Sequence, residues 1–336
     1  MSTEKAWTNN IATVSANDVD TLSPKYAAIV EEMRAHFETG QTRDVAFRKR
    51  MLNQLIKMCV DNCELLGDSV RADVGGPELR RMFDLDCVTH CHTILDNWDE
   101  WVGDEVVDTP GTFLQWGVIR KDPKGVNLCI GPWNFPVGLV LKPLAAMLAT
   151  GNVVVIKPSE VAHNSSKVLA ELIPKYFPSN VVRVVEGAVA ETTALLEQKW
   201  DHIMYTGNGA IARIVTKAAS AHLTPTTLEL GGKCPAIIDD SADLAVAAQK
   251  LVFSKWGLNC GKILMLLLMM VVGGRVIVAV VVVLGVLVLL LPSLYVSLCI
   301  CLSVYVSLCI CPSASVPLRV CSSVSLCLGF GVVRSM

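Results

Sequence analysis

The chain has 336 residues, 29 basic against 31 acidic side chains and 52% hydrophobic residues. Only three of those charges, Arg275, Arg319 and Arg334, lie in residues 263–336, so residues 1–262 hold 26 basic and 31 acidic side chains, a net of −5. A balance of that kind builds no basic face, which excludes nucleic acid as a partner.

Met1-Ser2-Thr3-Glu4-Lys5 opens the chain without the apolar core of a secretory signal. The seven cysteines of residues 1–262 follow no disulfide-framework spacing, so a reduced, cytoplasmic setting is expected. Residues 24–105 read as helical, because apolar side chains recur three and four apart in Ile29-Val30-Met33-Phe37 and in Leu52-Leu55-Ile56-Cys59-Val60-Cys63. Thr42-Arg43-Asp44 is a break and N-cap region between them. Cys87, His90, Cys91 and His92 are metal-ligating types on successive helical turns. Zinc sets usually come from two separated pairs and cysteines pack well in cores, so no metal is expected.

Thr112–Arg120 reads as a strand, followed by a turn at Asp122-Pro123-Lys124-Gly125 and a second strand, Val126–Ile130, in a hairpin-like pattern. From there, short apolar runs at Val153–Ile156, Val181–Val185, Ile203–Tyr205 and Leu228–Leu230 alternate with helical spacing. Continuous apolar strands between helices call for a parallel sheet covered on both faces. The fold class is therefore a doubly wound, Rossmann-like α/β sheet preceded by packed helices.

Residues 263–336 follow neither period. Val276–Leu291 is uncharged, and Tyr295-Val-Ser-Leu-Cys-Ile-Cys301 recurs identically as Tyr305-Val-Ser-Leu-Cys-Ile-Cys311. The repeat is too short for a solenoid unit and reads as translated repetitive DNA, an aberrant hydrophobic tail. The other reading is a membrane contact through residues 263–311, since about 20 apolar residues span a bilayer.

Three motifs carry chemistry. In Gly131-Pro132-Trp133-Asn134-Phe135-Pro136 two prolines fix the chain at a strand end and remove two backbone donors. Asn134 can then aim its amide at a developing oxyanion, worth about 3 kcal/mol, or cap the helix that follows. Lys157-Pro158-Ser159-Glu160 ends a strand at the carboxyl edge, where doubly wound sheets bind ligands, or is a solvated charged loop. Gly207-Asn208-Gly209-Ala210-Ile211-Ala212 fits a G-x-G-x-x-A fingerprint with an acid, Glu229, about 20 residues on, which in a conventional dinucleotide fold would hold the ribose.

With Phe37-Glu38-Thr39-Gly40-Gln41-Thr42-Arg43, Pro132–Pro136, Lys157–Glu160, Tyr205-Thr206-Gly207-Asn208 and Leu228-Glu229-Leu230-Gly231-Gly232-Lys233 in this order, residues 25–262 resemble the N-terminal half of an aldehyde dehydrogenase. The class 3 type, which includes fatty-aldehyde enzymes, is the most similar. The resemblance implies NAD(P)-dependent oxidation of an aldehyde substrate to a carboxylic acid, on a truncated fold of that type. It implies Asn134 and Glu229 as catalytic groups, the oxyanion amide and the general base. Ile130, Pro132, Trp133, Lys157, Glu160, Gly187, Gly207, Asn208 and Leu230 become the binding residues for NAD or NADP. Lys157 and Glu160 would hold the adenosine ribose, where a carboxylate repels a 2′-phosphate and favours NAD. For Glu229 the base is the preferred role, because Gly231 and Gly232 let the backbone approach a substrate closely. Ala212 departs from the glycine usual at that position.

The resemblance divides the chain into a helical segment at 1–111, a cofactor-binding domain with an oligomerisation hairpin at 112–262, and the tail at 263–336. Such enzymes are homodimers whose oligomerisation sheet is completed by a C-terminal strand that these residues lack. Their nucleophile follows Asn-x-Gly-Gln-x-Cys, whereas Asn259-Cys260-Gly261-Lys262-Ile263-Leu264 puts lysine for glutamine and leucine for the cysteine. Cys260 lies four residues too early, about 13 Å of extended chain, whereas attack needs about 3 to 3.5 Å. The expectation is an aldehyde dehydrogenase by family that is inactive as written.

Overall fold

The computed structural model describes residues 16–76, 84–107, 117–232, 236–238 and 241–252, and the strands at 268–272, 275–279, 296–301 and 305–310. The chain divides into two compact units, residues 1–231 and 232–336.

The first unit opens with α1 (Ala16–Glu38), a 3-10 turn at Gln41–Arg43, α2 (Val45–Asp61), α3 (Cys63–Val74), α4 (Cys87–Asp96) and α5 (Trp98–Val102). Asp44 caps α2 as its position suggests, its carboxylate accepting the N–H groups of Ala46 at 3.3 Å and Phe47 at 2.9 Å. Next come β1 (Glu105–Val107), β2 (Gly117–Ile119) and β3 (Val126–Ile130), then α6 (Gly138–Ala149), β4 (Val153–Lys157), α7 (His163–Tyr176) and β5 (Val182–Val184). The unit ends with α8 (Val189–Leu196), β6 (His202–Thr206), α9 (Gly209–Ser220) and β7 (Thr226–Glu229).

β3 to β7 form one parallel five-stranded sheet in the order β5-β4-β3-β6-β7. The order reverses at β3, the doubly wound arrangement with its crevice beyond the carboxyl ends of β3 and β6. Alternate side chains of β3 feed two cores. Val126, Leu128 and Ile130 pack with Tyr26, Val30 and Met33 of α1 and with Leu195 and Val215 of α8 and α9. Cys129 faces the other way, into a core made by α2, α3 and α4 together with α6 and α7. The helices before residue 105 thus share their cores with the sheet.

The hairpin expected between residues 112–120 and 126–130 is not there. β2 pairs antiparallel with β1, Glu105 opposite Ile119, while β3 pairs with β4 and β6. All five residues of β3 are buried, so it needs a neighbour on each edge and a cover on each face, which a two-stranded ribbon cannot supply. Gly125 ends the connecting segment at φ +131° and donates its N–H to Asn152 Oδ1 at 2.9 Å. A side chain there would collide with Asp201, whose carboxylate accepts Val126 N–H at 2.8 Å and Arg34 Nη1 at 2.7 Å. Cys87 and Cys91 lie buried in the core, their sulfurs 4.0 Å apart.

The second unit holds β8 (Ala236–Ile238), α10 (Leu244–Val252), β9 (Leu268–Val272), β10 (Arg275–Ala279), β11 (Val296–Cys301) and β12 (Tyr305–Ile310). β8 to β10 form a three-stranded sheet. The two copies of the repeat pair with each other, Val296 opposite Ile310 and Cys301 opposite Tyr305. Among the described residues no helix is long and apolar enough to cross a membrane. Of residues 263–311, expected as the membrane contact, 263–267, 273–274, 280–295, 302–304 and 311 lie outside the described residues, as does the nucleophile motif at 259–264.

Candidate active site

All eleven residues singled out from the sequence gather at the carboxyl edge of the five-stranded sheet. Ile130, Lys157 and Glu229 end β3, β4 and β7. Pro132, Trp133, Asn134, Glu160, Gly187, Gly207, Asn208 and Leu230 lie in the first few residues beyond the strands. Each of the five strands therefore delivers something to one edge, although the residues come from a stretch of 101 positions.

After β3 the chain turns tightly. Gly131 N–H donates to Lys157 O at 3.0 Å, and a Cβ at Gly131 would run into Val140. Pro132 is buried, Asn134 half-buried and Trp133 37% exposed. α6 takes Val137, not Asn134, as its N-cap. Its first N–H, that of Gly138, goes to Asp84 Oδ1 at 2.5 Å.

Lys157 is 3% exposed at the end of β4, and its Nζ donates to Glu160 Oε2 at 2.7 Å. A cation so deeply buried is tolerated only when paired. The pair is therefore a part-buried ion pair and not a solvated loop. Gly187 stands at φ +148°, where a side chain would strike Glu191. Glu191 in turn accepts Ala188 N–H at 2.7 Å and fixes the start of α8. Asn208 caps α9 by accepting Ile211 N–H at 3.0 Å. Ala212, the departure from glycine, is 3% exposed in the core beneath α9, so its methyl is accommodated by packing.

The strand registers sort these groups onto two faces. Ile130 lies opposite Lys157 and opposite Tyr205, and Tyr205 lies opposite Leu228, so all four point the same way, toward α8 and α9. Glu229 lies opposite Thr206, one residue on, and so projects from the other face. Its backbone carbonyl accepts Gly207 N–H at 3.0 Å, while its side chain is exposed. The geometry thus separates the two acids: Glu160 is on the side of the buried lysine and Glu229 is not. Leu230 borders an open groove of about 510 Å³ along α9, with Arg213, Lys217 and Leu228.

Tyr205, which the sequence reading did not single out, lies on the same face of the sheet as Ile130 and Lys157. It is 5% exposed, its hydroxyl donates to Asn208 O at 3.3 Å, and burial, more than the nearby Glu160 carboxylate, pushes its pKa up to about 12. An aromatic polar residue on the inward face of a strand, two positions before the turn glycine, was the available signal.

A doubly wound parallel sheet with its polar groups collected on the carboxyl edge defines a dinucleotide-fold α/β protein. The aldehyde dehydrogenase family model matches residues 4–281, and the chain belongs to that family. It is 41% identical over 238 residues to aldehyde dehydrogenase family 3 member B2 of Mus musculus, covering 70% of this chain and 50% of that protein. It is 36% identical over 241 residues to the dimeric NADP-preferring aldehyde dehydrogenase of Canis lupus familiaris, covering 71% and 53%. The substrate-bound state of Staphylococcus aureus AldH matches with a TM-score of 0.69 and 32% identity over 72% of this chain and 54% of that one. The class 3 character implied by the motifs agrees with the family 3 relatives. The chain spans about half the length of the curated relatives it matches.

Proposed function

We propose that the chain carries the cofactor-binding half of an NAD(P)-dependent aldehyde dehydrogenase and does not turn over aldehyde by itself. The observation that carries this reading is the two-faced carboxyl edge, with Lys157–Glu160 on one side of the sheet and Glu229 on the other. NAD or NADP, when bound, supplies a hydride acceptor. Glu160 accepts ribose hydroxyls, and its bond to Lys157 keeps the lysine neutralised, so a 2′-phosphate gains no free cation there and NAD is preferred. Asn134 offers its amide to the oxygen of the aldehyde as negative charge develops. In a site completed by the missing thiol, Glu229 would take the proton of the water that releases the acid.

The reaction also needs a thiolate to attack the carbonyl carbon. Leu264 stands where the family motif carries the cysteine, and Lys262 replaces its glutamine. Titration of the full-length protein with NAD is expected to show weak binding, and assay with an aldehyde and NAD to show no NADH. Cofactor-dependent turnover abolished by Cys260→Ser would move the nucleophile to Cys260 and overturn the inactivity.

A second reading, a non-catalytic protein held at a membrane through residues 263–311, draws its support from the charge-free run between Arg275 and Arg319. Resistance of the full chain to extraction by alkaline carbonate would favour it; complete extraction would remove it.

A further inference from the structure

The repeated segment Tyr295–Cys301 and Tyr305–Cys311 supplies β11 and β12, which pair with each other antiparallel. The register is symmetric. Leu298 lies opposite Leu308, the middle residue of each copy, and outward from it Ser297 meets Cys309, Cys299 meets Ser307, Val296 meets Ile310 and Ile300 meets Val306. Strand alternation sorts the ribbon into two faces. Val296, Leu298, Ile300, Val306, Leu308 and Ile310 share one face, while Ser297, Cys299, Cys301, Tyr305, Ser307 and Cys309 share the other. Sliding either copy by one residue would mix the two sets, so the alternation itself selects this register.

We propose that β12 is a self-association edge, pairing antiparallel with β12 of a second copy of this chain about a two-fold axis beside Leu308. β12 has β11 on one edge and, among the described residues, no strand on the other. A strand with the sequence of β11 fits β12, and β12 of a second copy is such a strand. The symmetric register puts Leu308 opposite the partner's Leu308 and keeps the apolar and polar faces in line across four strands. Both copies then use the same edge, so the contact closes as a dimer. A lone two-stranded ribbon is marginal in water, whereas three or more strands with an apolar face are stable. Nothing along the edge opposes pairing. No charged residue stands between Arg275 and Arg319, and neither strand contains proline, two of the devices that keep edges apart. Each strand has six residues, against the roughly 9–11 that a strand needs to cross a bilayer. That length favours a second copy over a membrane as the occupant.

Sedimentation of the full-length chain in reducing buffer tests this. All samples carry Val106→Lys and Ile119→Lys, so that the β1–β2 ribbon contributes nothing to the comparison. The parent is expected to sediment as a monomer in equilibrium with a dimer. Leu308→Lys and Leu308→Glu each set like charges opposite one another across the axis and should dissociate it. Their equimolar mixture should dimerise about fivefold more tightly than either variant alone, because opposed like charges repel and opposite charges attract. The same two substitutions at Leu298, which lies opposite Leu308 within one chain, should show no gain on mixing. A gain confined to position 308 supports the proposal. No gain at 308, an equal gain at both positions, or a monomeric parent overturns it. A monomeric parent that floats with phosphatidylcholine vesicles gives the tail to a membrane instead.

Discussion

Glu160 and Glu229 are two carboxylates at one sheet edge, one bonded to Lys157 just beyond β4 and the other ending β7 on the opposite face from Lys157. Glu160 is tied to a lysine only 3% exposed, whereas Glu229 ends an edge strand with an exposed side chain. In a version of the chain carrying Gln-x-Cys after Gly261, Glu229→Gln is expected to abolish acid formation with NAD affinity little changed. Glutamine keeps the shape but cannot accept a proton. Glu160→Gln should do the reverse, weakening NAD and relaxing the preference against NADP. Dissociation constants and turnover rates for both variants decide it; a cofactor defect confined to Glu229→Gln would return the ribose to Glu229. The fingerprint in the sequence left that choice open, because spacing along the chain does not say which face a strand residue occupies. Register does.

At the scale of elements, the helices that frame the site start in two ways. α2 and α9 are capped from within their own sequence, by Asp44 and Asn208, and both starts are readable from residue type. α6 and α7 are capped from elsewhere in the fold. Asp84 serves α6 across 54 positions of chain. Asp73 at the end of α3 serves α7 across 91 positions, accepting Asn164 N–H at 3.0 Å, Asn164 Nδ2 at 2.8 Å and Ser165 N–H at 2.7 Å. For Asp73 partial burial raises the carboxyl pKa, but the hydrogen bonds from Ser165 and Asn164 outweigh it and the net shift is downward. A carboxylate held below its usual pKa stabilises the fold fully above the unfolded value, near 4, and loses that contribution as pH falls through the folded value. Asp73→Ala is therefore expected to cost about 1 kcal/mol at pH 7, the usual worth of a cap, and progressively less below pH 4. A denaturant titration at several pH values reads this, and a penalty independent of pH would contradict it.

The first unit as a whole buries two cores, yet leaves apolar side chains on its small antiparallel ribbon. Val106 is 75% exposed, Ile119 49% and Val118 39%. A short apolar ribbon that pairs with no further strand among the described residues invites pairing with other chains. Residues 1–262 alone are accordingly expected to aggregate, and Val106→Lys combined with Ile119→Lys to reduce light scattering without shifting the melting temperature. A monodisperse, stable monomer from the unsubstituted fragment would contradict this.

Much of this molecule was legible in one dimension. Continuous apolar runs between helical stretches dictate a covered parallel sheet, since strands buried on both faces carry no alternation. Prolines, glycines and paired charges just beyond those runs mark its carboxyl edge, and five ordered motifs mark the family. The pairing of β1 with β2, the caps that Asp73 and Asp84 lend to distant helices, and the face of the sheet that Glu229 occupies were decided only by tertiary structure. Each depends on which residues meet across tens of positions of chain. A strand's partners are chosen by burial on both of its faces and edges at once, and a helix end accepts a carboxylate from wherever packing delivers one. Local patterns state what a segment needs; the folded chain determines which distant residue supplies it.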